Sequence, residues 1–228
     1  MDRLSNSTYT VMDMDAYETD RKEMVNRQIA GRGLRDPRLL AAFEFVPRHL
    51  FVPEEYRQHA YADGPLPIGY GQTISQPYIV AFMTHLLELT GHERILEVGT
   101  GSGYQAAILS HLAAEVHTVE MIPELFAQAE KILSELGCAN VHCRLADGSL
   151  GWTDAAPYDG ILVTAAAPSA PQTLLSQLAE GGRLVLPVGD RGYQELEIWR
   201  KVNGEFTCRT SLGVAFVPLR GEYGWKER

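Results

Sequence analysis

The sequence contains little cysteine. Its 228 residues include three, Cys138, Cys143 and Cys208, and an odd number without a C-x-x-C pair argues against a disulfide framework. Cys138 and Cys143 lie close to His142, but no fourth metal ligand is evident near them. Because structural zinc sites use four ligands, we interpret these side chains as packing residues and predict no metal site.

The sequence also lacks a long apolar run. Its longest one is well short of the ~20 residues that a membrane-spanning helix needs. The opening segment, MDRLSNSTYTVMDMDAYETD, has no apolar stretch of the kind found in secretory signals. Together with the scarcity of cysteine, these features predict a cytoplasmic protein that does not associate with membranes.

Clusters of lysine and arginine are missing as well. The chain carries 20 Lys and Arg against 29 Asp and Glu, a formal net charge of −9 at pH 7. An acidic surface repels a phosphate backbone. Nucleic acid is therefore not an expected partner.

A regular alternation of patterns begins after residue 90. Short apolar runs rich in Val, Ile and Leu alternate there with segments typical of helices. We predict strands over 94–98, 115–120, 141–147, 158–166 and 182–189, and helices over 104–112, 123–136 and 171–178. Such alternation indicates βαβ units and a parallel sheet that is covered on both faces. Two extended runs around Asn203-Gly204 predict an antiparallel hairpin near the C-terminus.

The first 90 residues predict helices and loops instead. One helix is expected over 16–30, and another follows the N-cap Asp36 and Pro37. We therefore predict an α/β fold with a Rossmann-like, doubly wound, mostly parallel sheet, an N-terminal helical extension and a C-terminal antiparallel hairpin. The expected division is a flexible extension (1–20) and a single domain (21–228) made of a helical and loop part (21–90), an α/β core (91–190) and the hairpin (191–228).

A glycine cluster, EVGTGSG, follows the first strand of this core. Gly99, Gly101 and Gly103 allow the backbone to turn tightly and to approach a ligand closely. An open α/β sheet binds its nucleotide at this place. A dinucleotide fingerprint would have glycine where Tyr104 stands, and the Gly-Lys-Ser/Thr of a phosphate loop is absent. The cluster therefore favours a ligand that is not a polyphosphate.

Carboxylates accompany the ends of the first three predicted core strands. Glu97 precedes the glycines, and Glu120 is placed to accept both hydroxyls of a ribose. Asp147, followed by Gly148, is a candidate acceptor for the exocyclic amine of adenine. The alternatives are a solvated charge for Glu120 and a simple turn for Asp147-Gly148.

Several segments combine into a more specific pattern. EVGTGSG, Glu120, Asp147-Gly148 and GGRLVLPVG together resemble class I S-adenosylmethionine-dependent methyltransferases. MVNRQIAGRGLRDPRLLAAFEFVPRHLFVP, AYADGPLPIGYGQTISQP and GVAFVPLRGEYGW resemble the protein-L-isoaspartate O-methyltransferases. The resemblance covers nearly the whole chain and leaves only the N-terminal extension unmatched.

This resemblance implies a cofactor, a substrate and a set of site residues. The cofactor would be S-adenosyl-L-methionine, with S-adenosyl-L-homocysteine as its product. The substrate would be the free α-carboxylate of an L-isoaspartyl residue in a damaged protein, whose ester cyclises to a succinimide that can reopen to aspartate. The implied cofactor-binding residues are Gln72, Thr73, Ile74, Glu97, Gly99, Gly101, Gly103, Glu120, Asp147 and Gly148, and the substrate-binding residues are Ser75, Gln76, Phe216, Val217 and Pro218.

The residues suit a reaction that needs no general base. An α-carboxyl group has a pKa of about 3.3–3.7 and is already an anionic nucleophile at pH 7. The segment after the fourth core strand, TAAAPSAP, lacks the Asn/Asp-Pro-Pro-Tyr pattern expected of enzymes that methylate planar amines. The site would instead need neutral hydrogen-bond donors and an apolar wall that excludes water.

The segment GQTISQP could supply those donors. We predict that Ser75 is catalytic as a hydrogen-bond donor, at the start of a helix over 78–89 whose free N–H groups favour an anion. The alternative is that Ser75 only caps this helix. The segment FVPL (216–219) would provide an apolar wall and an extended backbone against which a peptide can pair. The alternative for Phe216 and Val217 is a place in the core.

Other functions stay open on the sequence alone. The chain could methylate another carboxylate or a small metabolite, or it could be a non-catalytic homologue that binds the cofactor and recognises modified proteins. The presence of Glu97, Glu120, Asp147 and Ser75 together disfavours a pure binder. We expect a monomer that acts on isoaspartyl proteins or peptides.

Overall fold

The structure is a computed structural model that describes residues 17–190 and 192–226. The predicted extension over 1–20 therefore lies mostly outside the described residues. Its last residues are helical, because α1 begins at Glu18. No helix in the described ranges is long and apolar enough to cross a membrane.

The N-terminal part is helical, as predicted, but it also contains a β-hairpin. Asp36 caps the second helix, since its carboxylate accepts a hydrogen bond from the Arg38 N–H at 2.9 Å. The elements are α1 (Glu18–Met24), α2 (Pro37–Phe45), β1 (Leu66–Gly69), β2 (Gln72–Ile74) and α3 (Pro77–Leu86); a π-helical turn (Val25–Ile29) and 3₁₀ turns (Ala30–Arg32, Arg48–Phe51, Glu54–His59) complete this part.

The hairpin of β1 and β2 corrects the prediction that the first 90 residues form helices and loops. Leu66 pairs with Ile74 and Pro67 with Thr73 in antiparallel register. The chain reverses through Gly69, Tyr70 and Gly71, whose φ angles are 90°, 54° and 71°. The hairpin fixes the direction in which residues 72–75 approach the central sheet.

Seven strands of the described part form the central sheet, in the order β5–β4–β3–β6–β7–β8–β9. Its first five members along the chain, β3 to β7, are parallel, and β8 and β9 are antiparallel. The strands are β3 (Arg94–Val98), β4 (Glu115–Glu120), β5 (Val141–Leu145), β6 (Tyr158–Val163), β7 (Leu178–Gly189), β8 (Gln194–Val202) and β9 (Glu205–Val214), and the helices between them are α4 (Tyr104–Ser110), α5 (Pro123–Glu135) and α6 (Gln172–Ser176). This arrangement confirms the predicted fold class.

Both faces of the sheet are buried. On one face Ile95 and Val116 pack in a cluster with Met83 of α3 and Leu109 of α4. On the other face Leu96 packs in a cluster with residues of α6. Along a strand successive side chains point to opposite faces, so two such clusters explain why the core strands read as continuous apolar runs.

The topology places a crevice between β3 and β6. From β3 the chain winds outward to β4 and β5, whereas from β6 it winds the other way to β7. At such a switch point the loops that follow the two neighbouring strands diverge, and ligands bind outside the carboxyl ends of the strands. The predicted site residues cluster around this point.

Candidate active site

A cavity lies at the carboxyl ends of β3, β4 and β6. Its lining comes from the hairpin, the glycine loop, the end of β4 and the C-terminal segment: residues 72–75, 97–102, 104–105, 119–122 and 216–220, with Val80, Met83, Gly148, Thr164 and Ala165. All predicted site residues except Gly103, Asp147 and Gln76 belong to this lining. The fold therefore brings together segments that are more than 140 residues apart in the chain.

The glycine loop is held by hydrogen bonds from both neighbouring strands. The Gly99 N–H donates to the Val119 carbonyl at 2.9 Å, and the Thr164 hydroxyl donates to the Gly99 carbonyl at 2.6 Å. Gly99 has a φ of 94°, and a Cβ there would lie 2.4 Å from Thr164 Oγ1. Gly103, at φ 88°, is the N-cap of α4. The loop thus depends on glycine at these positions.

Glu97 is fully buried at the floor of the cavity. The Thr100 and Thr118 hydroxyl oxygens are 2.6 Å apart, and the Thr118 hydroxyl donates to Glu97 Oε2 at 2.6 Å. Glu97 Oε1 has no hydrogen-bond partner among the described residues. Burial raises the pKa of Glu97 to about 8, opposed by the hydrogen bond from Thr118 and reinforced by the charge of Glu120. An unpaired buried oxygen is costly, so the site favours a ligand that donates to it.

Glu120 is held by the backbone around it. Its Oε1 accepts from the N–H groups of Met121 and Ile122, each at 2.9 Å, and its Oε2 accepts from the Gly101 N–H at 2.8 Å. The side chain is 6% exposed. The alternative of a solvated surface charge is therefore wrong. The carboxylate is fixed in place at the cavity wall.

Asp147 behaves as a turn residue in this structure. Its Oδ1 accepts from the N–H and the hydroxyl of Ser149, at 2.9 and 2.7 Å, and its Oδ2 accepts from the Glu222 N–H at 2.7 Å. Gly148, not the Asp147 side chain, lines the cavity. The turn explains these contacts, and a role of Asp147 towards adenine stays a prediction.

Ser75 is not the cap of α3. The N-cap is Gln76, because Pro77 occupies the first helical position, and the Gln76 side chain makes no hydrogen bond to the helix. Gln76 Nε2 instead donates to Asp63 Oδ1 at 2.7 Å. Ser75 lies one residue earlier, and its carbonyl accepts from Arg48 Nη2 at 2.7 Å. Its side chain is therefore available for another task.

A second cavity of about 580 Å³ adjoins the first. The two share five lining residues: Thr73, Ser75, Thr164, Phe216 and Val217. Among the described residues that line the second cavity, which include Gln76, Tyr78, Ile79 and Tyr193, none carries a charged side chain. Ser75 thus lies where a glycine-rich cavity meets a neutral groove.

The C-terminal segment forms a half-buried wall, but most of its backbone groups are engaged. The Gln194 side-chain amide donates to the Phe216 carbonyl at 3.2 Å and accepts from the Phe216 N–H at 2.7 Å. Ala166 pairs with Val217 O and Leu219 N, each at 2.8 Å. A peptide that adds a strand along 216–219, as predicted, would find few free backbone groups there. It could still bind through contacts with the side chains of this segment.

Known proteins resemble this chain over almost its full length. The family model described as protein-L-isoaspartate(D-aspartate) O-methyltransferase matches residues 19–224. The protein-L-isoaspartate O-methyltransferase of Trichlorobacter lovleyi is 56% identical over 211 residues, which are 92% of this chain and 97% of that protein. That of Methanoregula boonei is 55% identical over 207 residues, 91% and 95% of the two chains.

The chain belongs to the protein-L-isoaspartate O-methyltransferase family. Solved structures agree with this assignment. A protein-L-isoaspartate O-methyltransferase superposes with a TM-score of 0.82 at 28% identity, over 89% of this chain and 67% of that chain. A Plasmodium falciparum structure titled as a putative member in complex with S-adenosyl-L-homocysteine has a TM-score of 0.77 at 24% identity, over 88% and 98%, which supports the fold.

Arg48 lies behind the site of this methyltransferase family member and was not among the predicted site residues. It is completely buried, and its guanidinium carbon lies 4.9 Å from the Tyr104 ring centre. Its Nε donates to the Ala60 carbonyl and its Nη2 to the Ser75 carbonyl, each at 2.7 Å. Burial lowers the pKa of Arg48 to about 10. Arg48 is a positioning residue for the backbone at Ser75.

The raised pKa of Glu97 predicts a specific pH dependence of stability in the cofactor-free methyltransferase. In the unfolded chain the Glu97 carboxyl has its ordinary pKa of 4.5 and is ionised above that pH. In the folded protein it keeps its proton up to about pH 8. Glu97 therefore lowers the free energy of unfolding by up to ~1.4 kcal/mol per pH unit across this window, and not below it.

The Glu97→Gln variant should lose this dependence. In urea unfolding at pH values from about 5 to about 8, its free energy of unfolding should rise relative to that of the unmodified protein. The exposed Glu124→Gln is the matched control and should show no such trend. Parallel curves for the unmodified protein and Glu97→Gln would contradict the burial argument.

Proposed function

We propose that this protein transfers a methyl group from S-adenosylmethionine to the free α-carboxylate of an isoaspartyl residue in damaged proteins or peptides. The ester then cyclises to a succinimide, and hydrolysis of that ring converts a fraction of the damaged residues to normal aspartate. The observation that carries the proposal is the junction at Ser75, where a cavity with the features of a nucleoside site opens into a groove without charged side chains.

The first cavity fits the cofactor that the family implies. Glu97 Oε1 is buried and unpaired within the described residues, and so offers an acceptor to a donating group of the ligand. Glu120 is fixed by three backbone N–H groups, and its Oε2, which accepts only one of them, keeps a lone pair for a ribose hydroxyl. When bound, the cofactor supplies an electrophilic methyl group. The hairpin residues Gln72, Thr73 and Ile74 and the turn residue Gly148 complete the proposed binding surface.

The groove suits a carboxylate nucleophile. The substrate group is ionised at neutral pH, so a base beside it would have no proton to remove. Ser75 offers a neutral hydroxyl donor at the junction, while Phe216 and Val217 provide an apolar wall that displaces water from the anion. The task of the protein is thus to orient the carboxylate and to dehydrate it.

The shape of the groove favours a peptide over a small metabolite. Its volume of about 580 Å³ is open and bounded by the hairpin on one side and by residues 212–217 on the other. A small carboxylate would leave most of it filled with water. We therefore place the isoaspartyl peptide ahead of the alternatives of another carboxylate substrate and of a non-catalytic binder.

Three further expectations accompany the proposal. The protein acts in the cytoplasm, as a monomer, and without a nucleic-acid partner. The net charge of −9 supports the last of these. A division into a substrate-side part (21–90), a cofactor core (91–190) and a C-terminal hairpin (191–228) is consistent with the contributions of these parts to the two cavities.

Replacing Glu120 with alanine should weaken binding of S-adenosylhomocysteine by ~1–3 kcal/mol, because a charged hydrogen-bond acceptor is lost. Calorimetry measures this directly, with NAD as a ligand that should not bind. The exposed Glu124→Ala, in the first turn of α5, is the matched control. Unchanged affinity in Glu120→Ala, or tight NAD binding, would show that the ribose assignment is wrong.

The proposed reaction is tested by following one isoaspartyl peptide by mass spectrometry in the presence of S-adenosylmethionine. The expected sequence is the gain of one methyl group, its loss as methanol with formation of a succinimide, and the appearance of the aspartyl peptide. A methyl ester that forms on the peptide's C-terminal carboxylate instead would identify another carboxylate methyltransferase.

A further inference from the structure

A group of potential metal ligands lies at the other end of β4 from Glu120. Glu115 and His117 are two residues apart on β4 and therefore point to the same face of the sheet. His142 on β5 is the direct partner of His117 in the parallel register. The strand pairing thus places a carboxylate and two imidazoles side by side.

His142 and Cys143 are neighbours in sequence, but their side chains do not lie together in the fold. Neighbouring residues of a strand point to opposite faces, so the side chain of Cys143 lies on the face opposite to His142. Cys143 packs instead against the hydrophobic cluster that includes Leu125 and Leu133 of α5. The residues that lie beside His142 are recognised only from the register between β4 and β5.

The distances within the group match those of ligands that share one ion. Glu115 Oε1 lies 3.3 Å from His117 Nε2 and 3.2 Å from His142 Nε2. One ligand atom from each of the three residues can be chosen so that all lie within 4.8 Å of one another. Ligand atoms bound at ~2.0–2.2 Å to a tetrahedral ion are themselves ~3.3–3.6 Å apart. The separations of 3.3 and 3.2 Å from Glu115 Oε1 agree with this spacing.

His117 gives a second, independent indication. Its side chain is only 8% exposed, and neither ring nitrogen has a hydrogen-bond partner among the described residues. The contact of 3.3 Å with Glu115 is close but is not aligned as a hydrogen bond. The Trp152 and Tyr158 rings, with centroids 5.0 and 5.7 Å away, cover other sides of the imidazole. An unsatisfied buried imidazole points to a missing partner.

Arg94 orients the carboxylate of Glu115. Its Nε donates to Glu115 Oε2 at 2.8 Å, which leaves Oε1 directed towards the two imidazoles. A hydrogen bond to the second oxygen of a ligating carboxylate is a usual feature of metal sites. The positive charge of Arg94 opposes cation binding, and the Glu115 carboxylate between them offsets this.

We propose that Glu115 Oε1, His117 Nε2 and His142 Nε2 form a binding site for a divalent transition-metal ion, with zinc as the best match. Imidazole and carboxylate ligands suit zinc, and solvent supplies the fourth ligand because the His142 side chain is 47% exposed. The ion fastens the edge strand β5 to β4. The site is separate from the cavity at the carboxyl ends of the strands, so its role is to stabilise the fold.

Zinc titration of the full chain, first treated with a chelator, tests this proposal. Calorimetry should show one zinc ion per chain, and the melting temperature should rise by about 5–10 °C at a zinc concentration of about 100 times the Kd. His142→Ala should bind zinc at least ~10-fold more weakly and lose most of the thermal shift. His85→Ala, which removes an exposed histidine of α3, is the matched control and should bind zinc as the unmodified protein does.

Cobalt as a spectroscopic probe identifies the ligands. The visible bands of four-coordinate cobalt, without a sulfur-to-cobalt band in the near ultraviolet, are expected for two imidazoles and a carboxylate. His142→Gln is a second variant that keeps side-chain volume and should abolish these bands. A sulfur-to-cobalt band, equal zinc affinity in His142→Ala, or no stoichiometric binding to the unmodified chain would each overturn the proposal.

Discussion

Ser75→Ala is expected to lower methyl transfer ~10²–10³-fold, by analogy with the loss found when a positioned donor is removed from an oxyanion hole. Ser75 lies at the junction of the two cavities, and its hydroxyl makes no hydrogen bond within the described residues that would give it another role. The carboxylate would bind without a donor and more of its orientations would be unproductive. The loss should appear in kcat, because orientation is needed in the transition state.

The structure separates this role from a structural one. Since Gln76 and not Ser75 is the N-cap of α3, Ser75→Ala should change the free energy of unfolding by no more than ~0.5 kcal/mol. Binding of S-adenosylhomocysteine should be retained. Ser176→Ala, which removes an exposed hydroxyl from α6, is the matched control and should keep full turnover. Near-normal turnover of Ser75→Ala would show that Ser75 is not catalytic.

Arg48→Met should give the largest loss of stability, ~3–5 kcal/mol. The buried carbonyl of Ala60 and the partly buried carbonyl of Ser75 would lose their donor, at ~1–3 kcal/mol each, and the cation–π contact with Tyr104 would be lost as well. The stability of Arg48→Lys should lie between those of the unmodified protein and Arg48→Met, because an ammonium group cannot reproduce the planar fork that reaches both carbonyls. Urea unfolding monitored by circular dichroism measures the series.

Arg27→Met provides the control for Arg48→Met, since the Arg27 side chain is 79% exposed and pairs with Glu23 four residues earlier. That substitution should cost less than ~1 kcal/mol. If Arg48→Met were equally mild, the guanidinium would not hold the backbone at Ser75. In Arg48→Lys, which should still fold, turnover should fall more than affinity for S-adenosylhomocysteine, because the displaced group is at the substrate junction.

Local sequence patterns predicted the α/β core closely, for physical reasons. The ranges 94–98 and 115–120 match β3 and β4 at both ends, since each is an apolar run bounded by charged residues or glycine. Asn203-Gly204 closes the hairpin of β8 and β9 with both residues at positive φ. In such segments the periodicity and the turn residues both favour the structure that tertiary packing requires.

Features that depend on distant contacts were beyond local patterns. The hydrogen bond between Arg48 and Ser75 joins residues 27 apart, and that between Asp147 and Glu222 joins residues 75 apart. The hairpin of β1 and β2 was missed because proline in a short run argues against a strand. The cap of α3 had a local signal that was misread: Pro77 at the first helical position makes the residue before it, Gln76, the N-cap.

The candidate site, like the fold, contains parts that local sequence predicts and parts that depend on distant contacts. The glycine loop and the carboxylates of β3 and β4 could be predicted because each lies at a strand end, and parallel strands bring these ends to one edge of the sheet. The second cavity could not be predicted, since it forms only where residues 73–79 meet residues 192–194 and 212–217. The group of Glu115, His117 and His142 likewise requires the register between β4 and β5.

The central claim is tested most directly by methyl transfer to two synthetic peptides that differ only at one residue. One contains L-isoaspartate and the other L-aspartate at the same position, both with amidated C-termini, and S-adenosylmethionine carries a labelled methyl group. The account predicts rapid labelling of the isoaspartyl peptide and none above background for the aspartyl peptide. Equal labelling of both peptides, or binding of the cofactor without labelling of either, would contradict it.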